Sequence, residues 1–237
     1  MPCILLTQES YSFVNLGINY TNWTKQTQDN ILTKNFIFAS TEYGFGSKLT
    51  EFYGNTNIEN PFNSYDDEQA KNLRFLMVND FDIKLTESFR IHLQDFHLQT
   101  DNYFVNDSVL GFSYKYIYQG FWFKPFIGVH YTYDSYFNGV NGLMTGWLLD
   151  YKFKILEQTF SIFEWNEIEF LRDKNFYELV DGTPIGDSKS NGLNGAIKFY
   201  WHPNEKITAG IEYRYSKYKR GSKEFLGALI YSVKCNF

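Results

Sequence analysis

The chain ends with the stretch Leu229-Ile230-Tyr231-Ser232-Val233-Lys234-Cys235-Asn236-Phe237, in which apolar and polar side chains alternate. One set of positions holds Leu229, Tyr231, Val233, Cys235 and Phe237, and the other holds Ser232, Lys234 and Asn236. Successive side chains of a β-strand point to opposite faces. The stretch therefore predicts a strand with one apolar face and one polar face.

The same alternation recurs along the chain. It predicts about twelve strands, near residues 11–22, 34–43, 48–57, 72–80, 89–99, 108–118, 121–133, 142–152, 158–170, 192–202, 206–217 and 225–237. Many of these segments have the roughly 9–11 residues that a tilted strand needs to cross a bilayer. The polar positions change parity near Gln94-Asp95 and near Trp165-Asn166. We expect a β-bulge at each of these two places.

The connections between the predicted strands are alternately long and short. The long ones lie near 23–33, 58–71, 100–107, 134–141, 171–191 and 218–224, and the short ones near 44–47, 81–88, 119–120, 153–157 and 203–205. Outer-membrane barrels have long extracellular loops, short periplasmic turns and an even number of antiparallel strands. The sequence therefore predicts an all-β fold, an antiparallel up-and-down transmembrane β-barrel in a bacterial outer membrane, with both termini on the periplasmic side.

The composition argues against several other classes of protein. Aromatic residues make up 20% of the chain. The most apolar stretch, 225–233, is about half as long as a membrane-spanning helix. The net charge of −5 argues against a nucleic-acid-binding protein, which carries a basic surface. Cys3 and Cys235 stand at opposite ends of the chain without metal-binding spacing, and we expect no cofactor.

Residues 11–237 form one predicted domain, the barrel. We expect residues 1–10 to be the remainder of a secretory signal or a truncated lead segment. This segment contains the apolar run Ile4-Leu5-Leu6 but lacks the basic residues of a complete signal.

If the apolar positions face lipid, the alternate positions line the lumen. Charges of both signs occur there, and their pairing fills much of a barrel of this size, leaving a narrow passage. The predicted pore-lining residues are Glu51, Tyr53, Asn79, Arg90, His92, Ser113, Lys115, Phe126, His130, Lys198, Glu212 and Arg214.

Two other functions stay open on the residues alone. A barrel with a plugged lumen acts through its external loops, as an adhesin or receptor. A barrel enzyme that modifies lipid or peptide needs a nucleophile with a histidine base. No nucleophile motif surrounds His92, His97, His130 or His202, and we expect His202, beside Pro203, at the surface.

Glu164, Glu167 and Glu169 form an acidic cluster in the sequence. On a strand only Glu167 and Glu169 share a face. The spacing favours a solvated acidic rim at the mouth of the barrel over a metal site.

One segment resembles a known family. Glu51-Phe52-Tyr53-Gly54, followed by Asn60-Pro61-Phe62, is similar to the acidic-Phe-Tyr-Gly…Pro-Phe stretch of the Tsx/OmpK nucleoside-specific channels, and follows a first hairpin as it does there. Asn79-Asp80-Phe81 and the final strand are similar as well, whereas Asn55-Thr56-Asn57 replaces a more aromatic stretch. The resemblance implies a monomeric twelve-stranded barrel with a narrow passage for nucleosides and no enzymatic activity.

In such a channel, rings at Tyr53 and Phe126 would stack on the base, and Glu51, Asn79 and Ser113 would hydrogen-bond the solute. The expected partners are outer-membrane lipid and lipopolysaccharide, a nucleoside-like solute, and the barrel assembly machinery. The alternating C-terminal strand that ends in Phe237 resembles the signal which that machinery reads. Nucleic acid is not an expected partner.

Overall fold

A computed structural model describes residues 10–31, 33–61, 73–101, 103–177, 189–219 and 222–237. The expected lead segment therefore lies outside the described residues except for Ser10, and so does Phe62 of the family-like stretch. The strands and helices are β1 (Tyr11–Trp23), α1 (Lys25–Ile31), β2 (Phe36–Gly46), β3 (Thr50–Glu59), β4 (Arg74–Lys84), β5 (Phe89–Gln99), β6 (Phe104–Tyr114), β7 (Tyr116–Tyr118), β8 (Phe121–Asp134), β9 (Asn138–Ile155), β10 (Gln158–Phe170), α2 (Lys174–Tyr177), β11 (Gly192–Asn204), β12 (Ile207–Lys219) and β13 (Ser222–Asn236).

The strands form one closed antiparallel ring. Each strand pairs with its neighbours in the chain, β1 pairs with β13, and β6 and β7 both pair with β8. The short β7 continues β6 beyond Lys115, so the two segments act as one strand and the barrel has twelve. At the seam, the backbone N–H of Phe237 donates to the carbonyl of Val14 at 2.9 Å. The predicted twelve-stranded antiparallel barrel is confirmed.

The outer face is apolar because the period-2 pattern places alternate side chains outside. On β1, Val14, Leu16 and Ile18 point outward, and Ile18 is 69% exposed. Asn19 and Thr21, on the opposite face, are buried. Exposed apolar side chains recur around the outer wall, which is the surface that a lipid bilayer covers. No helix within the described ranges is both long and apolar enough to cross a membrane.

The connections differ in length at the two ends of the barrel. The turn end, where β1 begins and β13 ends, carries connections 47–49, 85–88, 119–120, 156–157 and 205–206. The loop end carries connections 24–35, 60–73, 100–103, 135–137, 171–191 and 220–221. Three of the predicted long connections are therefore short, because β6, β9 and β13 extend further than the alternation indicated.

Neither predicted β-bulge exists. The pairing of Asp95 with Asn79 and Ser108, and of Asn166 with Trp147 and Gly195, is in continuous register. The register shifts instead lie between Val129 and Tyr131, Trp201 and Asn204, and Lys217 and Lys219. The apparent change of parity arises because two polar side chains, those of Asp95 and Asn166, lie on the outer wall. There Asp95 accepts a hydrogen bond from Ser108 and Asn166 accepts one from Tyr215.

Candidate functional site: the barrel lumen

The inner wall carries most of the charge of the barrel. The predicted pore-lining residues on this wall are Glu51, Tyr53, Arg90, His92, Ser113, Lys115, Phe126, His130, Lys198, Glu212 and Arg214. Their placement follows from strand parity, because polar side chains alternate with the outward apolar ones.

Asn79 is the exception, and its predicted place in the lumen is wrong. Leu76, Val78 and Asp80 of β4 face the cavity, so Asn79 points outward. The hydroxyl of Tyr43 donates to Asn79 Oδ1 at 3.2 Å. The Tyr43 ring lies across Gly54, where a Cβ would stand 2.2 Å from a ring carbon. Asn79 is thus part of a polar contact on the outer wall.

A carboxylate surrounded by cations occupies the turn end of the lumen. Glu51 on β3 lies 2.9 Å from Lys115 Nζ, 3.2 Å from Lys84 Nζ and 3.5 Å from Arg90 Nη2. These partners come from β4, β5 and the junction of β6 with β7, so the cluster extends across part of the lumen. Glu51 is saturated by protein cations rather than open to a solute.

A second cluster lies beside it and is centred on Asp82. Lys124 Nζ donates to Asp82 Oδ2 at 2.7 Å, Ser113 Oγ donates to Oδ1 at 2.9 Å, and His92 Nδ1 lies 2.8 Å from Oδ1. The His92 ring also contacts the Phe126 ring, with centroids 4.7 Å apart. Because Lys124 belongs to β8 and Asp82 to β4, this cluster also bridges separate parts of the wall.

The wall formed by β11, β12, β13, β1 and β2 has its own compensated charges. Lys234 Nζ donates to Glu42 at 2.6 Å and to the Tyr200 hydroxyl at 2.8 Å. Lys198 Nζ lies 3.2 Å from Glu212. Charge-assisted pairs of this kind hold long side chains in fixed positions and limit the space they sweep.

Further ion pairs lie at the loop end, and the prediction of a solvated acidic rim there is wrong. Glu169 is buried, accepts from Arg172 Nε at 2.6 Å and is ion-paired with Lys219. Glu167 also faces inward, whereas Glu164 lies on the outer face of β10. No group of three or more His, Cys, Asp or Glu in the described parts of the chain is placed to bind a metal ion.

His202 lies on the inner wall rather than at the outer surface. Its Nε2 is 2.9 Å from Ser161 Oγ and its Nδ1 is 2.9 Å from Thr208 Oγ1. A serine nucleophile needs a histidine whose other nitrogen is held by a group that stabilises the imidazolium, usually a carboxylate. The hydroxyl of Thr208 carries no charge, so this arrangement lacks the third member of a hydrolase triad.

Between the two ends lies a cavity lined by aromatic and polar side chains. The lumen contains about 960 Å³ of space not occupied by atoms, which includes open solvent. Tyr53 on β3 faces it from one wall, and Phe163 and Trp165 on β10 face it from the opposite wall. Lys198 and Arg214 lie over these two rings, 5.6 Å from the centroids of Phe163 and Trp165 respectively.

Several lining residues were not predicted from the sequence. They are Glu42, Asp80, Asp82, Gln94, Trp165 and Glu167. A signal existed for β4: a charge on the lipid face costs more than an amide, so Asp80 and Asp82 define the inner parity better than Asn79 does. No local signal marks Gln94, because its role depends on a partner across the barrel.

The fold is shared with small outer-membrane porins of known structure. The chain superimposes on the KdgM porin, solved in complex with disordered oligogalacturonate, with a TM-score of 0.53, at 9% identity and covering 94% of this chain and 99% of that one. It matches the NanC porin with a TM-score of 0.53, at 12% identity and covering 94% and 98%. LpxR from Salmonella typhimurium gives a TM-score of 0.53 at 9% identity, covering 93% and 99%.

The sequence itself gives the more specific relationship. Residues 17–237 match the sequence model of the family described as nucleoside-specific channel-forming protein, Tsx. The match includes the Glu51-Phe52-Tyr53-Gly54 segment and extends to the terminal Phe237. The chain belongs to the Tsx family of nucleoside-specific outer-membrane channels.

Proposed function

We propose that nucleosides diffuse through this lumen singly, stacking weakly on aromatic rings and exchanging hydrogen bonds with the wall. The observation that carries the proposal is charge compensation. The lumen holds many charges, but nearly every lysine in it, among the residues that the structure describes, lies beside a carboxylate. A passage of this kind favours a polar, uncharged solute, and a nucleoside is one.

The pairing of lysines argues against a passage for polyanions. The KdgM porin was solved with an oligogalacturonate, and binding such a chain requires cations that are free to contact it. Here Lys115, Lys124, Lys198, Lys219 and Lys234 each have a carboxylate partner: respectively Glu51, Asp82, Glu212, Glu169 and Glu42. A polyanion would have to displace these partners one after another.

The aromatic rings supply the complementary half of the argument. Every nucleobase has a flat face, and stacking on an aromatic ring contributes about 1–3 kcal/mol per base regardless of its identity. Tyr53, Phe163 and Trp165 border the cavity from opposite walls. Binding of this strength is weak enough for release, which conduction requires.

Uptake into proteoliposomes tests this function. We expect labelled adenosine to enter with saturation and faster than an uncharged sugar of similar size, and oligogalacturonate to enter slowest. Equal rates for adenosine and the sugar would show that the passage is a size filter without nucleoside preference. Faster entry of oligogalacturonate would assign the barrel to polyanions.

The orientation and the remaining partners belong to the same proposal. The loop end, which carries connections 24–35, 60–73 and 171–191, faces the outside, and the turn end with both termini faces the periplasm, as is general for such barrels. The barrel functions as a monomer in contact with lipid and lipopolysaccharide. The assembly machinery recognises the final strand and its terminal Phe237.

A further inference from the structure

Two lysine side chains lie over one tyrosine ring at the loop end of the barrel. The Nζ atom of Lys189 is 4.7 Å from the centroid of the Tyr218 ring, and the Nζ atom of Lys217 is 5.3 Å from it. Both lysines are exposed. Neither has a carboxylate within ion-pair distance in the part of the chain that the structure describes. The two cations therefore differ from the paired lysines of the lumen.

Arg172 fixes the main chain on both sides of this contact. Its Nη1 donates to the carbonyl oxygen of Tyr218 at 2.9 Å and to that of Lys189 at 3.5 Å. Gly192 makes room for the guanidinium, because a Cβ at this position would stand 2.1 Å from Arg172 Nη2. Tyr218 has a φ of 53°, in the left-handed region that non-glycine residues rarely adopt. The two lysines are therefore brought together by a main chain that is held in place.

A register shift places Lys217 on the outer wall of the barrel. The pairing of β12 with β13 shifts between Lys217 and Lys219. Lys219 faces inward and is ion-paired with Glu169. Lys217 instead pairs with Leu193 on one side and Phe225 on the other, and both of these side chains belong to the outward set. Irregularities of this kind redirect side chains, so Lys217 does not line the passage.

The outer wall next to Lys217 is aromatic on the side toward the middle of the barrel. Tyr213 and Tyr215 precede it on the outer face of β12, and Tyr215 stacks on Phe225 with ring centroids 6.3 Å apart. Rings of this kind lie at the boundary between the hydrocarbon of a bilayer and its headgroups. The lysine pair lies beyond the rings, on the side of the loops. It is therefore at the depth of the lipid headgroups.

We propose that Lys189 and Lys217 bind a phosphate group of lipopolysaccharide, whose acyl chains lie against Tyr215 and Phe225. The inference rests on the proposed orientation, in which the loop end faces outside and meets the leaflet that contains this glycolipid. Lysine binds phosphate as a point charge, and two lysines over one ring present two such charges together. A phosphate group supplies the negative charge that the described protein residues do not.

Titration of the whole barrel in a nonionic detergent with bisphosphorylated lipid A, followed by native mass spectrometry, measures this binding. A lysine near an anionic lipid surface strengthens binding about fivefold. Lys189→Gln and Lys217→Gln should therefore each weaken lipid A binding about fivefold, and the double variant should weaken it about 25-fold. Inorganic phosphate at millimolar concentration should leave the bound lipid A in place, because it lacks the acyl chains that contact the rings.

Lys25→Gln is the matched control, because Lys25 is an exposed lysine on α1 at the same end of the barrel. It removes the same charge and should bind lipid A as the parent protein does. Slower migration on gels after heating shows whether each variant has formed a barrel, and binding is compared only among variants that have.

The outcomes separate this site from the proposed orientation and transport. Unchanged binding in the double variant, or equal weakening in Lys25→Gln, would overturn the site. Displacement of lipid A by inorganic phosphate would show an anion site without preference for the glycolipid, and would overturn the assignment as well. The titration does not depend on how the barrel is oriented, which thiol labelling of its two ends tests separately. If the loop end is outside but lipid A does not bind, only this site fails; if the loop end is periplasmic, the orientation and this site fail together, and nucleoside transport stands.

Discussion

Glu51 on β3 accepts a hydrogen bond at 2.9 Å from Nζ of Lys115, the residue between the end of β6 and the start of β7. The same carboxylate neutralises Lys84 and Arg90. The acidic residue of the family-like segment therefore forms ion pairs with three lumen cations. This contact favours an electrostatic role for Glu51, whereas the neighbouring Tyr53 ring remains available to a solute.

Removing the charge of Glu51 should change ion selectivity more than nucleoside binding. In Glu51→Gln the three cations around it lose their compensating charge. The shift in favour of anions should amount to about 1 kcal/mol, or roughly fivefold in the permeability ratio, the scale of one charge acting through water. Reversal potentials in a salt gradient measure this ratio. Glu87→Gln, on an exposed turn at the same end, is the control. If Glu51→Gln instead raises the adenosine half-saturation tenfold without changing ion selectivity, Glu51 binds the solute.

Shortening Tyr53 should weaken nucleoside uptake at low concentration. Loss of one stacking contact costs about 1–3 kcal/mol, which corresponds to roughly a 5–150-fold rise in half-saturation. Tyr53→Ala should therefore slow adenosine uptake at micromolar concentration and leave it nearly normal at saturation. Phe52→Ala removes a ring from the opposite, outer face of the same strand and should have no such effect. Similar uptake curves for the two variants would assign Tyr53 to packing against Phe13, whose ring centroid is 6.4 Å away.

The lipid-facing parity can be tested by placing a charge on it. Ile211 points outward between Phe199 and Tyr231, and Ser232 on the neighbouring strand lines the lumen. An arginine on the lipid face costs roughly 2–4 kcal/mol near the bilayer midplane. Ile211→Arg should therefore lower the urea midpoint of unfolding in lipid bilayers far more than Ser232→Arg does. Equal midpoints would mean that Ile211 does not face lipid.

The strand pattern was predictable because period-2 alternation is a local property of the sequence. The two predicted β-bulges were wrong because the prediction assumed that the outer wall is uniformly apolar. Asp95 and Asn166 lie on that wall because other strands supply a hydroxyl to each: Ser108 on the neighbouring β6, and Tyr215 on β12, two strands away from β10. The polar outer residue is satisfied across strands, and the sequence of one strand does not show this.

The contacts that shape the lumen were beyond prediction from local sequence for a related reason. Gln94 and Glu167 meet because the ring closes with a particular stagger of its strands. That stagger is a property of all twelve strands together. The alternation placed Glu167 and Glu169 on one face of their strand but predicted an acidic rim there. The hydrogen bond from Gln94 on β5 to Glu167 required the closed barrel. Loop lengths were likewise missed, because strands such as β9 continue beyond the hydrophobic band.

The terminal Phe237 should matter for assembly more than for the stability of the finished barrel. Its side chain is 77% exposed, and its link to β1 is made by backbone groups shared with Val14. Phe237→Ala keeps those backbone hydrogen bonds. We expect several-fold less heat-modifiable protein in the outer membrane of expressing cells, but an almost unchanged urea midpoint after refolding. Phe225→Ala, an outward aromatic near the other end of β13, is the control; equal membrane yields for the two variants would remove Phe237 from the recognition signal.

The orientation of the barrel follows from the accessibility of its two ends to a reagent that does not cross the outer membrane. Asp29 lies exposed on α1 at the loop end, and Lys206 lies exposed in the turn 205–206 at the opposite end. After Cys3 and Cys235 are replaced by serine, Asp29→Cys and Lys206→Cys each carry a single thiol. In whole cells, a membrane-impermeant maleimide should label the thiol at position 29 and leave that at position 206 unlabelled. Permeabilising the outer membrane should then make both react. Labelling of position 206 alone in intact cells would place the turns and both chain ends outside, and would reverse the proposed topology.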